Sequence, residues 1–374
     1  MKKVIVLGST GSIGRSTLDV LKKNRGRFKV IGLSAWENTP LLQKQIREFS
    51  PFLAAVGGKL KARPGSRTKI LIGKEGVNEL SRIKSDIVVL GISGIAALEP
   101  LLGCIGRTKR ILLANKEAVV SAWPLIKAKL KNSGTEIIPV DSEANALFQL
   151  LLGVEKKSIN KVYITASGGP FLNWDKKRLT KVKASQALQH PTWKMGRRIT
   201  IDSATLVNKG FEVMEAHFLF DIPLDKIEVI IHPQSVIHSL VETYDGCLFA
   251  SFFAPDMRVP INYALNYPDM AKHPIKKLDL VSLRKIEFFK PDCRKFPGLK
   301  LALSAAKKGK SMPAVFTAAD EQAVNLYLQG KIRFTQIPEI LRIVLAKHRP
   351  KNITCLEDVL FWMDWAKNKV MQNL

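Results

Sequence analysis

Val4-Ile5-Val6-Leu7-Gly8-Ser9-Thr10-Gly11-Ser12-Ile13-Gly14 is the stretch on which the fold reading turns. Four consecutive apolar residues, three of them β-branched, read as a buried strand. Glycines then recur at every third position, and residues 15–24 follow as an amphipathic helix with Leu18, Val20 and Leu21 facing inward. Strand, glycine turn and helix in that order let the backbone turn tightly and approach a pyrophosphate, with the helix's first amides aimed at the anion. The spacing is GxxGxxG rather than GxGxxG. A glycine-rich turn in an ordinary α/β protein has the same letters, and the strand–turn–helix setting favours the dinucleotide reading.

Outward from this start, the first 140 residues keep alternating apolar runs with amphipathic stretches. Strands are expected at 3–7, 28–34, 52–56, 86–91, 110–114 and 136–140, a doubly wound α/β domain. The second strand ends near Ser34-Ala35-Trp36-Glu37-Asn38, where a dinucleotide fold meets the adenosine ribose. Glu37 there favours the free 2′-hydroxyl of NAD, whereas the basic patch Lys59, Lys61, Arg63, Arg67 and Lys69 favours the 2′-phosphate of NADP; both remain open. Between 160 and 255, strand-like runs at 161–166, 226–231 and 247–253 mix with a helical stretch near 203–219, an α+β pattern. Residues 269–297, with Pro274, Pro291 and Pro297, read as a linker, and 298–374 as helices.

The 374 residues carry 59 Lys+Arg against 32 Asp+Glu, a formal charge of +27, in a composition otherwise near the globular average. No run of about 18 apolar residues is present, so no membrane partner is expected, and the first apolar run is too short for a secretory signal. Cys104, Cys247, Cys293 and Cys355 lie far apart without metal-ligand spacing, which suits a reduced, cytoplasmic protein. The basic patches lack interleaved aromatics and any zinc-finger, RNA-recognition or helix-turn-helix signature, so no specific nucleic-acid partner is expected. One window departs from the basic trend: residues 132–155 hold Glu136, Asp141, Glu143 and Glu155 and no Lys or Arg.

Asp141-Ser142-Glu143 falls at the C-terminal edge of the last expected strand of the first domain, where open α/β sheets bind ligands. In an extended segment residues two apart share a side, so both carboxylates can meet one hard cation, Mg²⁺ or Mn²⁺. Capping of a helix 144–152 by Asp141 or Ser142 explains the same letters equally well. Ser167 before Gly168-Gly169 makes either a phosphate cradle or a tight turn. Asp202-Ser203-Ala204-Thr205 precedes Asn208-Lys209-Gly210-Phe211-Glu212, whose Asn208, Lys209 and Glu212 share a helical face, as surface ion pairs also do. His190-Pro191-Thr192-Trp193-Lys194-Met195-Gly196 reads as a loop with an aromatic wedge.

With Leu113-Ala114-Asn115-Lys116-Glu117, Ile231-His232-Pro233-Gln234-Ser235 and Pro255-Asp256-Met257-Arg258, these segments closely resemble the 1-deoxy-D-xylulose 5-phosphate reductoisomerase family, in the family's order over roughly residues 1–270. The resemblance implies a Rossmann-like NADPH-binding domain (1–140), a catalytic α+β domain (141–268) with a lid loop about 188–198, the linker, and a C-terminal helical bundle. It implies Asp141, Glu143 and Glu212 as divalent metal ligands. Ser167, Ser203, Asn208 and Lys209 are implied at the substrate phosphate, and Lys116, Ser142, Glu143 and His190 along the sugar, with Lys116, Glu143 and His190 in the catalytic roles. Trp193 and Met195 would close over the substrate. Thr10, Gly11, Ser12, Ile13, Trp36, Glu37, Asn38, Asn115, Glu117 and Gly196 fall at the cofactor.

The activity implied is metal-assisted rearrangement of the ketose phosphate to an aldehyde and its reduction by NADPH to 2-C-methyl-D-erythritol 4-phosphate, in a homodimer. Two places depart from the family pattern. Ala144 stands where a histidine is usual, and Trp36-Glu37 stand where a small residue and then a polar or basic one precede Asn38.

Overall fold

Val4, Ile5, Val6 and Leu7 are fully buried in β1 (Lys2–Leu7), which pairs in parallel with β2 (Phe28–Ala35) on one side and β5 (Ser85–Leu90) on the other. The structure is a computed structural model describing residues 1–58, 67–193, 195–272, 274–275 and 277–373. Lys59, Lys61 and Arg63 of the basic patch therefore lie outside the described residues. The chain divides into two units. The first comprises Met1–Ala118, Ile126–Asn145 and Asp256–Lys276; the second comprises Val119–Leu125, Ala146–Pro255 and Lys277–Leu374.

The first unit is built on a seven-stranded sheet of order β4-β3-β2-β1-β5-β6-β7, with β3 (Leu53–Val56), β4 (Lys69–Ile72), β6 (Thr108–Leu113) and β7 (Glu136–Pro139), every pairing parallel. The expected strands are present, and β4 is an addition at the edge. A parallel sheet covered on both faces explains why β1 and β5 are apolar runs rather than alternating ones. The order reverses between β1 and β5, the switch point at which such sheets open a crevice. Gly8 makes this possible: its φ is +81°, and a Cβ there would lie 2.7 Å from the Gly91 carbonyl carbon, on the loop leaving β5.

Asp256–Lys276 joins this unit through the helix Arg258–Asn266, which buries Pro260, Ile261, Ala264 and Leu265, and through polar contacts. Arg258 reaches Asp256 at 2.6 Å and Asp19 at 3.1 Å, Arg27 donates to Asn266 at 2.8 Å, and Arg110 donates to the Tyr267 carbonyl at 2.6 Å.

The second unit holds a four-stranded sheet of order β11-β10-β8-β9, with β8 (Ile159–Ala166), β9 (Ile227–Ile231), β10 (Ile237–Thr243) and β11 (Leu248–Phe252). β8 and β9 run parallel, and β10 is antiparallel to both β8 and β11. The helical stretch expected near 203–219 is two helices, Arg197–Ala204 and Val207–Phe220, separated at Leu206, whose φ is +59°. In the proline-rich segment, Phe289 exchanges backbone hydrogen bonds of 2.8 and 2.9 Å with Ile231, stitching it to β9.

The C-terminal helices are Gly298–Lys308, Met312–Leu328, Gln336–Lys347 and Leu356–Met371; Met312–Leu328 packs against the other three and is buried over most of its length. Gly210 lets the Val207–Phe220 helix lie against Gly298–Lys308: a Cβ at Gly210 would stand 2.1 Å from the Ala302 Cβ. Gly210→Ala is therefore expected to cost about 1–3 kcal/mol in denaturant unfolding despite its better helix propensity. In an Ala302→Gly background the same substitution becomes neutral or stabilising, and a cost that persists there excludes this contact as its cause.

Candidate functional site

At the C-terminal edge of the first unit's sheet, residues 8–14 follow β1 and the helix Ser12–Lys23 begins without a side-chain cap and without an acid in its first turn. Its first amides therefore lack a side-chain acceptor, the arrangement of an anion-binding helix start, and Thr10, Gly11, Ser12 and Ile13 lie at that mouth. Trp36, Glu37 and Asn38 follow the neighbouring β2. Trp36 and Glu37 are exposed, and Asn38 caps the helix Thr39–Phe49 by accepting from Leu41 N at 3.2 Å. Asn115, after β6, caps its own helix through Ala118 N (2.7 Å) and donates to the carbonyls of Ile92 and Gly94 (2.9 and 2.8 Å), tying the ends of β5 and β6 together. Glu117 follows in that helix's first turn.

The next residue after Asn115 opens a second cluster. Lys116 puts its ammonium 2.7 Å from Asp141 Oδ2 with only 3% of its side chain exposed. Asp141 comes off β7, the strand beside β6, and also accepts from Glu143 N at 3.3 Å. Ser142 Oγ lies 2.5 Å from Glu143 Oε2. The helix here starts at Ser142, not 144, so the triplet is not extended and Glu143 lies in the first turn. Asp141 therefore does cap, as one reading of the sequence had it, and at the same time holds a buried cation. Ala144 is buried.

In the second unit, His190 stands between two serines. Its Nε2 lies 3.0 Å from Ser167 Oγ and 3.1 Å from Ser203 Oγ, while Nδ1 accepts from the amides of Thr192 and Trp193 at 3.1 and 2.9 Å. An Nδ1 that accepts from the backbone carries no proton, so the imidazole is the neutral Nε2–H tautomer, its proton directed at the hydroxyls. Ser167 follows β8, and Gly168 and Gly169, with φ of +84° and +69°, turn the chain so that Gly169 N donates back to Ser167 Oγ at 3.2 Å. Trp193 stands edge-on to His238, ring centroids 6.1 Å apart. Met195 is half-buried, and Gly196 caps Arg197–Ala204; Lys194 lies outside the described residues.

Asn208, Lys209 and Glu212 share one face of Val207–Phe220, all buried, with both Asn208 and Lys209 donating to Glu212. They are a buried polar cluster rather than the surface ion pair the spacing also allowed. His232 plays a structural part: Nε2 accepts from Val236 N at 3.2 Å, Nδ1 meets the Glu287 carbonyl at 3.0 Å, and burial holds its pKa below the usual histidine range.

One charged network is absent from the sequence reading. Arg198 lies 2.9 Å from Glu321, 3.6 Å from Asp320 and 3.7 Å from Asp202, and Glu321 also meets Lys367 at 3.0 Å. The only signal for it in the sequence is Asp320-Glu321 inside the apolar run of Met312–Leu328.

A doubly wound sheet with a glycine turn at its switch point and lysine and carboxylates on the same edge defines the class: a nicotinamide-dependent oxidoreductase. Family models agree over most of the chain. Residues 4–123 match 1-deoxy-D-xylulose 5-phosphate reductoisomerase, and 137–220 and 253–369 match two C-terminal domains of the same enzyme. The reductoisomerase of Caldanaerobacter subterraneus is 48% identical over 366 residues, 96% of each chain, and that of Thermoanaerobacter pseudethanolicus 48% over 100% of this chain and 99% of its own. Among solved structures, the Zymomonas mobilis reductoisomerase in complex with NADPH has a TM-score of 0.93 at 39% identity, covering 99% of this chain and 98% of its own. A DOX-P reductoisomerase with NADPH, fosmidomycin and magnesium has 0.93 at 35%, covering 100% and 98%. The chain belongs to the 1-deoxy-D-xylulose 5-phosphate reductoisomerase family.

The Asp320 carboxyl generates a stability prediction. Burial pushes it up to about 6, against the pull of Arg198. A carboxyl raised in the folded chain binds its proton more tightly there than when unfolded, so stability is lost as pH rises from about 4 through 6. Asp320→Asn does not titrate, so its melting temperature relative to the native chain is expected to rise between about pH 4.5 and pH 7. A difference that stays flat across that range contradicts this account of Asp320.

Proposed function

We propose that this chain converts 1-deoxy-D-xylulose 5-phosphate to 2-C-methyl-D-erythritol 4-phosphate with NADPH and a divalent cation, Mg²⁺ or Mn²⁺. The observation that carries this reading is identity of 48% to a reductoisomerase over 96% of the chain. The donor chemistry agrees with it. Asp141, Glu143 and Glu212 offer only carboxylate oxygens, the hard donors such cations take, and we assign them as the ligands. When bound, the cation supplies Lewis-acid polarisation of the substrate's oxygens and NADPH supplies the hydride.

The chain's own residues bind and orient. Ser167, Ser203, Asn208 and Lys209 take the substrate phosphate, a remote anchor that orients the reacting end. Lys116, Ser142, Glu143 and the Nε2–H of His190 line the sugar, and Lys116, with its ammonium held at Asp141, offers a fixed positive charge there. Trp193 and Met195 cover the substrate and exclude water. Thr10, Gly11, Ser12, Ile13, Asn115, Glu117 and Gly196 serve the cofactor, with Trp36, Glu37 and Asn38 at its adenosine end.

The protein acts as a homodimer in the cytoplasm. β11 is an edge strand with Leu248, Phe249 and Phe252 exposed, which supports pairing of two copies along it. The four cysteines are free, which suits a reducing compartment, and no helix among the described residues is long and apolar enough to cross a membrane.

Three experiments test the reading. NADPH oxidation with 1-deoxy-D-xylulose 5-phosphate should require added Mg²⁺ or Mn²⁺, and turnover indifferent to metal would sink it. Glu212→Gln should lower kcat by about 10²-fold or more while NADPH affinity stays roughly intact; equal loss of both would remove Glu212 from the metal site. For the adenosine end, kcat/KM should be higher with NADPH than with NADH despite Glu37, and the reverse order would overturn the cofactor assignment.

A further inference from the structure

Arg198 sits where the loop bearing Trp193 joins the helix Arg197–Ala204, and it faces acids on two elements. Asp202 is one turn along its own helix, and Asp320 and Glu321 are on Met312–Leu328. Glu321 is held in turn by Lys367 on Leu356–Met371. Arg198 is 16% exposed, Asp202 3% and Asp320 0%, so this is a buried charge network. Such networks are a poor way to gain stability, because desolvating each ion costs several kcal/mol and an apolar packing of the same volume often does as well. Arg198 Nη1 donates to Glu321 Oε1 at 2.9 Å, while Asp320 and Asp202 lie at ion-pair rather than hydrogen-bond distance, 3.6 and 3.7 Å. A directed guanidinium contact of this kind supplies orientation, which apolar packing does not.

We propose that Arg198 is a positioning residue for the substrate-phosphate site: clamped by Asp202, Asp320 and Glu321, it sets the rotation of Arg197–Ala204 and so the placement of Ser203 and His190. The proposal rests on the assignment of those two residues to substrate made above. The helix has 8 residues, two turns, and packs on Val207–Phe220 and Met312–Leu328 with Ile201 and Ala204 buried; Arg198 adds a directed charged contact to the second of these. Ser203 Oγ meets His190 Nε2 at 3.1 Å, and His190 Nδ1 holds the Thr192 and Trp193 amides, so a turn of the helix is transmitted to the histidine and the loop. With Cα atoms about 2.3 Å from the helix axis and Oγ farther out, a rotation of roughly 20° displaces Ser203 Oγ by roughly 1 Å, a misplacement that can cost about 10²-fold.

Steady-state kinetics of the full-length, Mg²⁺-loaded enzyme test this, alongside NADPH affinity by fluorescence titration. Arg198→Met should raise the KM for 1-deoxy-D-xylulose 5-phosphate by about tenfold or more while the NADPH Kd moves by less than about twofold. Arg198→Lys, which keeps the charge without the fork, should recover only part of that loss. Glu321→Gln, which keeps the side chain's shape, should raise the same KM by a smaller factor and carries the test if Arg198→Met does not fold. An unchanged substrate KM in whichever of these variants folds, or substrate KM and NADPH Kd rising together, overturns the proposal. Ser203→Ala separates the two levels. If it raises the substrate KM and the clamp variants do not, positioning by Arg198 is wrong and the phosphate site stands. If Ser203→Ala leaves the KM unchanged, the phosphate assignment falls and the Arg198 proposal falls with it.

Discussion

Lys116 and Asp141, 2.7 Å apart at the ends of adjacent strands β6 and β7, state the constraint under which the rest of the first unit's ligand edge is built. An ammonium with 3% of its side chain exposed is costly unless a carboxylate meets it directly, and removing either partner strands the other. The parallel register of β6 against β7 makes the pair possible, because it brings the residues after Leu113 and after Pro139 to one edge. In a chain of formal charge +27, acids are scarce, and several of the buried or half-buried ones are met by cations within their own unit: Asp141 by Lys116, Glu212 by Lys209, Asp202 and Asp320 by Arg198. Each of these pairs fixes the orientation of a carboxylate as well as offsetting the cost of burying its cation.

Local pattern made most of the first unit legible, because its strands are buried on both faces and read as continuous apolar runs. The two strands that escaped are instructive. β4 is a short edge strand with only Leu71 buried, beginning at Lys69 inside the basic patch, so composition masked it. β10 is central, but its buried His238 and Ser239 interrupt the apolar run, and the contact His238 Nε2 makes with the Phe253 carbonyl, at 3.2 Å, lies outside the strand's own window of sequence. The attachment of Asp256–Lys276 to the first unit depends on Arg258 to Asp19 and Arg27 to Asn266, ion pairs and hydrogen bonds more than two hundred residues apart in the chain. No window of sequence contains both ends of such a contact.

The site was legible as separate motifs and not as geometry. Spacing identified Asn208, Lys209 and Glu212 as one face but could not tell a solvated face from a buried cluster, since burial is decided by what packs on the helix. The Asp141-Ser142-Glu143 triplet was legible as acidic and its conformation was not: the helix captures Ser142, and Asp141 takes the capping role that was one of the two readings. Arg198 and Asp320 escaped for a different reason. An amphipathic helix assigns its charged residues to the outside, whereas Met312–Leu328 is buried nearly all round, and on such a helix a charge signals an internal partner.

Glu37 is where local sequence reasoning and the chain's overall charge pull apart. A carboxylate beside a 2′-phosphate is unfavourable, but Glu37 is exposed at the end of β2 and its neighbour Trp36 is 58% exposed, with the indole lying over Gly57. In water two unit charges at 4 Å interact by about 1 kcal/mol, and salt screens the interaction over about 8 Å. One or two well-placed lysines or arginines offset a penalty of that size. The opposite arrangement, a buried Glu37, would have been decisive because desolvated charges are screened far less. With a 2′-phosphate beside it, an acid as exposed as Glu37 would be a modest bias rather than a determinant of cofactor choice.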